Sequence, residues 1–332
     1  MTAPEKLSLS FTSPFGDEMR DYINLKRSLG AKYRTEEGTL ADFDRFLRSE
    51  AALSAATLTQ DMVQRWLAAM TCGPVTLVHK ARLLHRFFDH LVSRGVMPRN
   101  PACRVHLRPP ATKLFQPYIF SKEEVAAILE AAGKLHAYRR FPLRPKTVHT
   151  VLAILYGLGL RLGEACRLQV SDLDLGRSVL SIRDTKFHKA RLVPFGPRLK
   201  TCLARYVNRR QTIFPPLRRD DPLFVASGRC CLSQQAMRRA FRTLLEVERI
   251  NPHGPRQPRL HDLRHSFAVH RLLRWYREGV HVQSRLSHLS TFMGHIDIKS
   301  TQVYLTVTTE LLDEANARFH TRFGSLLEEA NS

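Results

Sequence analysis

The chain has 332 residues, of which 52 are Lys or Arg and 30 are Asp or Glu, giving a formal net charge of +22. This length predicts two domains with substantial hydrophobic cores, and the charge favours a polyanionic partner. The six cysteines form no Cys-x-x-Cys pair, the N-terminus is polar, and no apolar run approaches the roughly twenty residues of a membrane span. These features argue against a disulfide-stapled secreted scaffold and a transmembrane protein, and we expect a cytosolic location with reduced thiols.

The first third of the chain has the pattern of a four-helix module. A loose N-terminus of residues 1–14 precedes a helix over 15–29, where Gly30 provides a stop signal. Thr39 and Thr59 are candidate N-caps of a second and a third helix. Helical spacing of apolar residues predicts a fourth helix over about 75–94.

The fourth predicted helix has a basic face opposite its apolar face. Asp89 is the only acid between Met62 and Lys122, so this part of the chain is strongly cationic. We predict that the basic face contacts the phosphates of a DNA duplex, which positions the protein without reading sequence. The predicted contacts are Lys80, Arg82 and Arg86.

A proline-rich stretch divides the chain into two parts. Residues 101–118 contain four prolines and no clear period, which indicates a semi-rigid linker. The next helix begins at Ser121, because Ser121-Lys-Glu-Glu124 fits the capping-box pattern. We therefore predict a flexible N-terminus at 1–14, a helical domain at 15–100, a linker at 101–118 and a second domain at 119–332 with a C-terminal helix.

The second domain begins with a buried helix and a glycine-rich turn. The segment from about Thr147 to Tyr156 is apolar almost all round, and Gly157 and Gly159 are expected to break it before Arg161. Glu164 lies three residues later, so the pair is either a structural ion pair or a carboxylate that orients a phosphate-binding arginine.

Two short strands are predicted over 179–182 and 191–194. Asp172 and Asp174 are interpreted as a turn before this hairpin. Lys186 lies in or near the hairpin connection, where a lysine is ordinarily just solvated. Farther on, Ser233 is a candidate cap for a helix that reaches about Val247. Its outer face carries a second predicted DNA-binding cluster, namely Arg238, Arg239 and Arg242.

The segment from His261 to Tyr304 carries the densest set of chemically active side chains. In His261-Asp-Leu-Arg264-His265, residues 261 and 264 are three apart, so a helix presents both on one side. An arginine fork donates to phosphate oxygens, and histidine moves protons near neutral pH. Met293-Gly-His295 and Tyr304 follow.

Taken in order, these motifs resemble the tyrosine recombinase (integrase) family, in particular its Xer-like and transposon-encoded members. That family has an Arg, a Lys, His-x-x-Arg, a His or Trp, and a Tyr in the same order. The matching residues are Arg161, Lys186, His261, Arg264, His295 and Tyr304. The family more commonly has Gly-Lys-Gly-x-Lys-x-Arg around its lysine, whereas this chain has Thr185-Lys-Phe-His-Lys189, which leaves Lys189 as an alternative.

The resemblance implies a mainly α fold with a small β-sheet (α+β), in which a SAM-like core-binding domain precedes the catalytic domain. It implies that Tyr304 attacks a DNA phosphodiester and forms a 3′-phosphotyrosine without metal, ATP or any other cofactor. His261 would be the base for the tyrosine, and Lys186 would protonate the leaving oxygen. The other three family residues would bind the non-bridging oxygens, with Glu164 in support.

The resemblance further implies double-stranded DNA as partner and a homotetramer on paired sites, with or without sister recombinases. A bacterial mobile element or chromosome is the expected context, which corresponds to a nucleoid-associated location. Two other functions stay open at this stage, namely a type IB topoisomerase-like relaxing enzyme and a non-catalytic DNA-binding protein of the same fold. The sequence shows no carboxylate cluster for a metal nuclease and no Walker motif.

Overall fold

The computed structural model describes residues 10–50, 57–103, 117–183, 190–228, 230–250, 257–295, 297–306, 310–314 and 316–317. The chain divides into two compact units, residues 1–115 and 116–332. The division falls inside the stretch predicted as a linker, most of which lies outside the described residues. Within the described ranges, no helix is both long enough and apolar enough to cross a membrane.

The first unit contains the four predicted helices. They are α1 (Gly16–Ser28), α2 (Arg34–Ser49), α3 (Gln60–Ala68) and α4 (Pro74–Ser93). Aromatic rings from three of these helices meet in the core, where Phe43 packs edge-to-face against Trp66 and Phe88 at centroid distances of 5.0 and 5.9 Å. Such contacts add to the hydrophobic free energy of burying the rings.

The start of α2 differs from the prediction. Thr39 does not cap this helix but lies inside it, and its hydroxyl donates to the carbonyl of Thr35. The helix begins at Arg34, and Glu36 and Glu37 fall in its first turn, where their negative charge complements the helix dipole. The predicted cap of α3 is confirmed, because the Thr59 hydroxyl accepts from the Met62 amide at 3.4 Å.

The second unit is mainly helical around a small sheet, so the predicted α+β class is confirmed. Its helices are α5 (Lys122–Gly133), α6 (Arg144–Leu158), α7 (Leu162–Arg167), α8 (Pro197–Ile213), α9 (Gln234–Val247), α10 (Leu260–Arg277), α11 (Val282–Met293) and α12 (Lys299–Gln302). A 3₁₀ turn, Val303–Thr306, follows α12. The capping box at Ser121 is confirmed, with reciprocal hydrogen bonds to Glu124 at 3.1 and 2.8 Å.

The sheet has three antiparallel strands rather than two. The strands β1 (Leu173–Asp174), β2 (Val179–Ile182) and β3 (Arg191–Pro194) lie in the order β1-β2-β3. Asp174 was interpreted as part of a turn but pairs with Val179 in β1. Asp172 is buried, accepts from the Gln169 amide at 2.9 Å and pairs with Arg183 at 2.7 Å.

The break after α6 occurs at a single glycine. Gly157 remains helical, whereas Gly159 has a φ of +59° and ends the helix. A Cβ at Gly159 would lie 2.5 Å from Cδ1 of Phe267 on α10. Glycine therefore satisfies two requirements here, a left-handed backbone and close contact between α10 and the turn that leads to Arg161.

Candidate active site

A buried carboxylate holds two arginines at the start of α7. Glu164 accepts from Arg161 at 3.0 Å and from both terminal nitrogens of Arg191 at 3.1 and 2.9 Å. Arg161 also donates to the Gly294 carbonyl at 2.8 Å, and Arg191 donates to the Phe292 carbonyl at 3.0 Å. This clamp therefore ties α7 and β3 to the end of α11.

The clamp determines the ionisation of its carboxylate. Glu164 is 5% exposed, and burial alone would raise the pKa of its carboxyl. The hydrogen bonds and charges of Arg191 and Arg161 outweigh burial and lower this pKa to about 2. The clamp is thus ionised throughout the physiological pH range and fixes the position of Arg161.

Arg264 supplies a second cation from the interior of α10. It is 2% exposed, and its Nη1 donates to the Gly159 carbonyl at 2.5 Å. Its Nη2 is buried and makes no hydrogen bond with any of the described residues. Burial and the charge of Arg161 lower the pKa of Arg264 to about 10, so it stays cationic at neutral pH. A buried guanidinium with an unused donor favours an anionic ligand.

Tyr304 lies in the 3₁₀ turn after α12 and is 4% exposed. Its hydroxyl lies 2.9 Å from Nδ1 of His265, on the helix that carries Arg264. Burial raises the pKa of the phenol, and the positive charges of Arg264 and Arg161 offset only part of this effect. The phenol is therefore protonated at neutral pH and needs a base before it can act as a strong nucleophile.

His295 is positioned by the turn that ends α11. Gly294 provides this turn with a φ of +71°, and the His295 amide donates to the Ser290 carbonyl at 2.9 Å. The His295 ring stacks on Tyr304 at a centroid distance of 6.2 Å with 24° between the ring planes, and its Nδ1 shares a hydrogen bond with the buried Thr301 hydroxyl at 2.7 Å. Burial and nearby arginine charge lower the pKa of His295 to about 3, which leaves its ring neutral.

His261 lies at the first turn of α10, beside this cluster. Its side chain is exposed, and its ring packs edge-to-face on His265 at 4.7 Å between centroids. Partial burial of the ring and the charge of Arg264 lower the pKa of His261. His261 and Arg264 thus share one side of the helix, as predicted, but Arg264 is buried and His261 is exposed.

The structure brings together five of the six predicted catalytic positions, and Glu164 lies between Arg161 and the additional arginine Arg191. Lys186 and its alternative Lys189 lie outside the described residues. No group of three or more His, Cys, Asp or Glu side chains in the described part of the chain could hold a metal ion.

The predicted DNA-binding residues divide into two kinds. Arg82 and Arg86 on α4 are exposed. Lys80 instead packs into its own module, with Nζ 5.7 Å from the Trp66 ring centroid and 3.8 Å from Asp42. The cluster on α9 is exposed in full, and it consists of Arg238, Arg239 and Arg242.

Two residues of the site were missed in the sequence. His265 is four residues after His261, so helical spacing alone places it on the same face. Arg191 corresponds to the final arginine of the Gly-Lys-Gly-x-Lys-x-Arg pattern, counted from Lys186. Its contact with Glu164 spans 27 positions, and helix or strand spacing cannot predict a contact at that separation.

Comparison with known protein families gives a match over most of the second unit. The model of the phage integrase family matches residues 119–310. A putative integrase/recombinase of Sinorhizobium fredii, y4rB, is 34% identical over 317 residues, which cover 94% of this chain and 98% of the relative. The tyrosine recombinase XerC of Listeria innocua is 26% identical over 91% of this chain and 96% of its own length.

Solved structures show the same fold at low sequence identity. The Tn1549 transposon integrase in complex with transposon right end DNA superimposes with a TM-score of 0.65 at 17% identity, covering 92% of this chain and 98% of that one. A lambda integrase dimer bound to a core site gives a TM-score of 0.61 at 16% identity, covering 88% of this chain and 77% of that one.

Proposed function

The chain belongs to the phage integrase family of tyrosine recombinases, enzymes of site-specific DNA breakage and rejoining, and on that premise we propose that its own nucleophile is Tyr304. The Tyr304 oxygen attacks a DNA phosphodiester, a 3′-phosphotyrosyl bond forms, and a 5′-hydroxyl leaves. Because the covalent bond conserves the energy of the broken one, rejoining needs no nucleotide.

The observation that carries this proposal is the surroundings of the Tyr304 hydroxyl. The Tyr304 hydroxyl is buried beside Arg161 and Arg264. Nη2 of Arg264 is a buried donor that makes no hydrogen bond with any described residue. A phosphodiester oxygen accepts from such a donor, and a preorganised cation stabilises the charge that develops in the transition state. Arg161, Arg264 and His295 then bind the non-bridging oxygens.

The family resemblance supplies two further roles for this reaction. A phenol with an ordinary pKa near 10 is only about 0.1% ionised at pH 7, so a base must take its proton. The resemblance assigns that task to His261 and the protonation of the leaving oxygen to Lys186, with Lys189 as the alternative donor. Glu164 holds Arg161 in place.

The partner is double-stranded DNA, and the Tn1549 integrase of the same fold is likewise in complex with transposon right end DNA. We propose that residues 15–100 form the core-binding domain and residues 119–332 the catalytic domain, and that each contacts the duplex. The active assembly is a homotetramer on paired sites, with or without sister recombinases, in the bacterial cytoplasm at the nucleoid. Exposed basic side chains on α4 and α9 contact phosphates.

The test is covalent capture of DNA. A nicked suicide substrate, made from the DNA that flanks the gene, is incubated with the protein in EDTA without ATP and run on a denaturing gel. A slow band that disappears in Tyr304→Phe, but persists in the surface control Tyr138→Phe, supports the proposal. A band that survives in Tyr304→Phe contradicts it, and tight binding without any band favours a non-catalytic DNA-binding protein.

A further inference from the structure

A histidine other than the one that the family resemblance implies lies within hydrogen-bonding distance of the tyrosine oxygen. Nδ1 of His265 lies 2.9 Å from the Tyr304 hydroxyl, within the range in which a base can take a proton directly. His261, which is exposed, packs its ring edge-to-face on the His265 ring at 4.7 Å between centroids. The two histidines therefore form a series that leads from the tyrosine to solvent.

The surrounding charges orient the phenol proton. Arg264 and Arg161 lie close enough to the Tyr304 oxygen to lower its pKa through their charge. A guanidinium carries donors and no acceptor, so the oxygen lone pairs turn towards the arginines and the O–H turns away from them. The O–H then donates to Nδ1 of His265, which requires the ring hydrogen of His265 to be on Nε2.

The neutral state of the His265 ring allows it to accept this hydrogen bond from Tyr304. Its ring faces His261, Arg264 and the cap residue Arg259 from α10, and His295 from the turn after α11. Burial, then His261 and the arginine charges, lower the pKa of His265 to about 3, so its ring is neutral at pH 7. Part of this depression comes from Arg264, which is expected to bind phosphate. A bound phosphodiester offsets that charge, and the basicity of His265 rises when DNA arrives.

We propose that His265 is the immediate proton acceptor of Tyr304, and that His261 acts one step farther out, between His265 and solvent. This rests on the proposed function. As the Tyr304 oxygen bonds to phosphorus, its proton passes to Nδ1 of His265. The bond from phosphorus to the 5′ oxygen breaks, and that oxygen takes a proton from the general acid, proposed above as Lys186.

The test compares His265→Asn with His261→Asn in single-turnover formation of the covalent band, from pH 5.5 to 9.5. An asparagine oxygen can accept a hydrogen bond near the position of Nδ1 but cannot hold a proton. His265→Asn is expected to bind the suicide substrate as the parent does, but to react about 100-fold or more slowly at pH 7. Its rate should then rise about tenfold per pH unit, because hydroxide must replace the missing base. His261→Asn should lose less.

Two results would overturn the assignment. One is a rate for His265→Asn within threefold of the parent with an unchanged pH profile, and the other is a larger loss for His261→Asn. If the asparagine variant folds poorly, His265→Ala provides a second test. Added imidazole should restore its rate but not that of Tyr304→Phe. If the parent forms no band, or Tyr304→Phe still forms one, the proposed function itself has failed.

Discussion

Replacing Glu164 by glutamine should destabilise the second unit by about 3 kcal/mol at pH 7, because the variant keeps the shape of the side chain but leaves two arginines without a counter-charge. The pKa of Glu164 is about 2, against an ordinary 4.5. The difference of about 2.5 corresponds to about 3.4 kcal/mol at 1.36 kcal/mol per pKa unit. Loss of one partner of a buried ion pair costs a similar amount, about 3–5 kcal/mol.

The stability difference between the parent and Glu164→Gln depends on pH. Because folding lowers this pKa, the stabilisation is complete above about pH 5 and is lost as the pH falls through about 2. The difference between parent and variant should therefore shrink to about 1 kcal/mol at pH 3. The chain has two tryptophans, and Trp66→Phe leaves Trp275 on α10 as a fluorescent probe of the second unit alone.

Urea unfolding at pH 7 and pH 3 measures both quantities. Glu130→Gln is the matched control, since that carboxylate and its partner Lys134 are 70% and 73% exposed and the pair contributes little. A loss below about 1 kcal/mol for Glu164→Gln at pH 7, or a loss of equal size at both pH values, would refute the argument that the clamp is a buried, ionised pair.

Two further predictions concern backbone geometry and DNA binding. Gly294→Ala should lower the melting temperature and the cleavage rate more than Gly279→Ala. Both glycines have a φ near +70°, but only at Gly294 would a Cβ meet a side chain, that of Arg191 at 2.5 Å; equal effects would mean that contact with Arg191 is unimportant. Arg82→Ala and Arg86→Ala should each reduce the salt dependence of DNA binding by about 0.9 in the log–log slope. Lys80→Ala should instead change mainly the melting temperature, and a salt-slope change as large as that of Arg82→Ala would argue against its packing role.

The sequence predicted the elements whose signals are local. Apolar spacing and caps gave the four helices of the first unit and the capping box at Ser121, because each depends on residues within one or two turns. Thr39 was misread because it also precedes an apolar run, and only the acidic first turn at Glu36 and Glu37 distinguishes the true start of α2. The residue before α2, Tyr33, makes no side-chain capping hydrogen bond, so a search for capping side chains cannot locate this helix start.

The site was predictable in its composition but not in its contacts. The order of Arg161, His261 and Tyr304 along the chain indicated the family, yet it did not show which histidine faces the tyrosine. That choice depends on where the turn after α12 places the hydroxyl, and the contact between residues 265 and 304 spans 39 positions. Helical spacing could have named His265 as a candidate, whereas the link between Arg191 and Glu164 required the tertiary fold.

The carboxylate of Glu164 also reduces the net positive charge of the site around Tyr304. Arg161, Arg191 and Arg264 carry three guanidinium charges and Glu164 carries one carboxylate charge, so these four side chains together contribute two positive charges. A phosphodiester brings one negative charge, but the five-coordinate phosphorus that forms when a tyrosinate adds to it carries two. The double charge on phosphorus therefore matches the net charge of these four side chains better than the single charge of the bound DNA does, so their field favours the transition state.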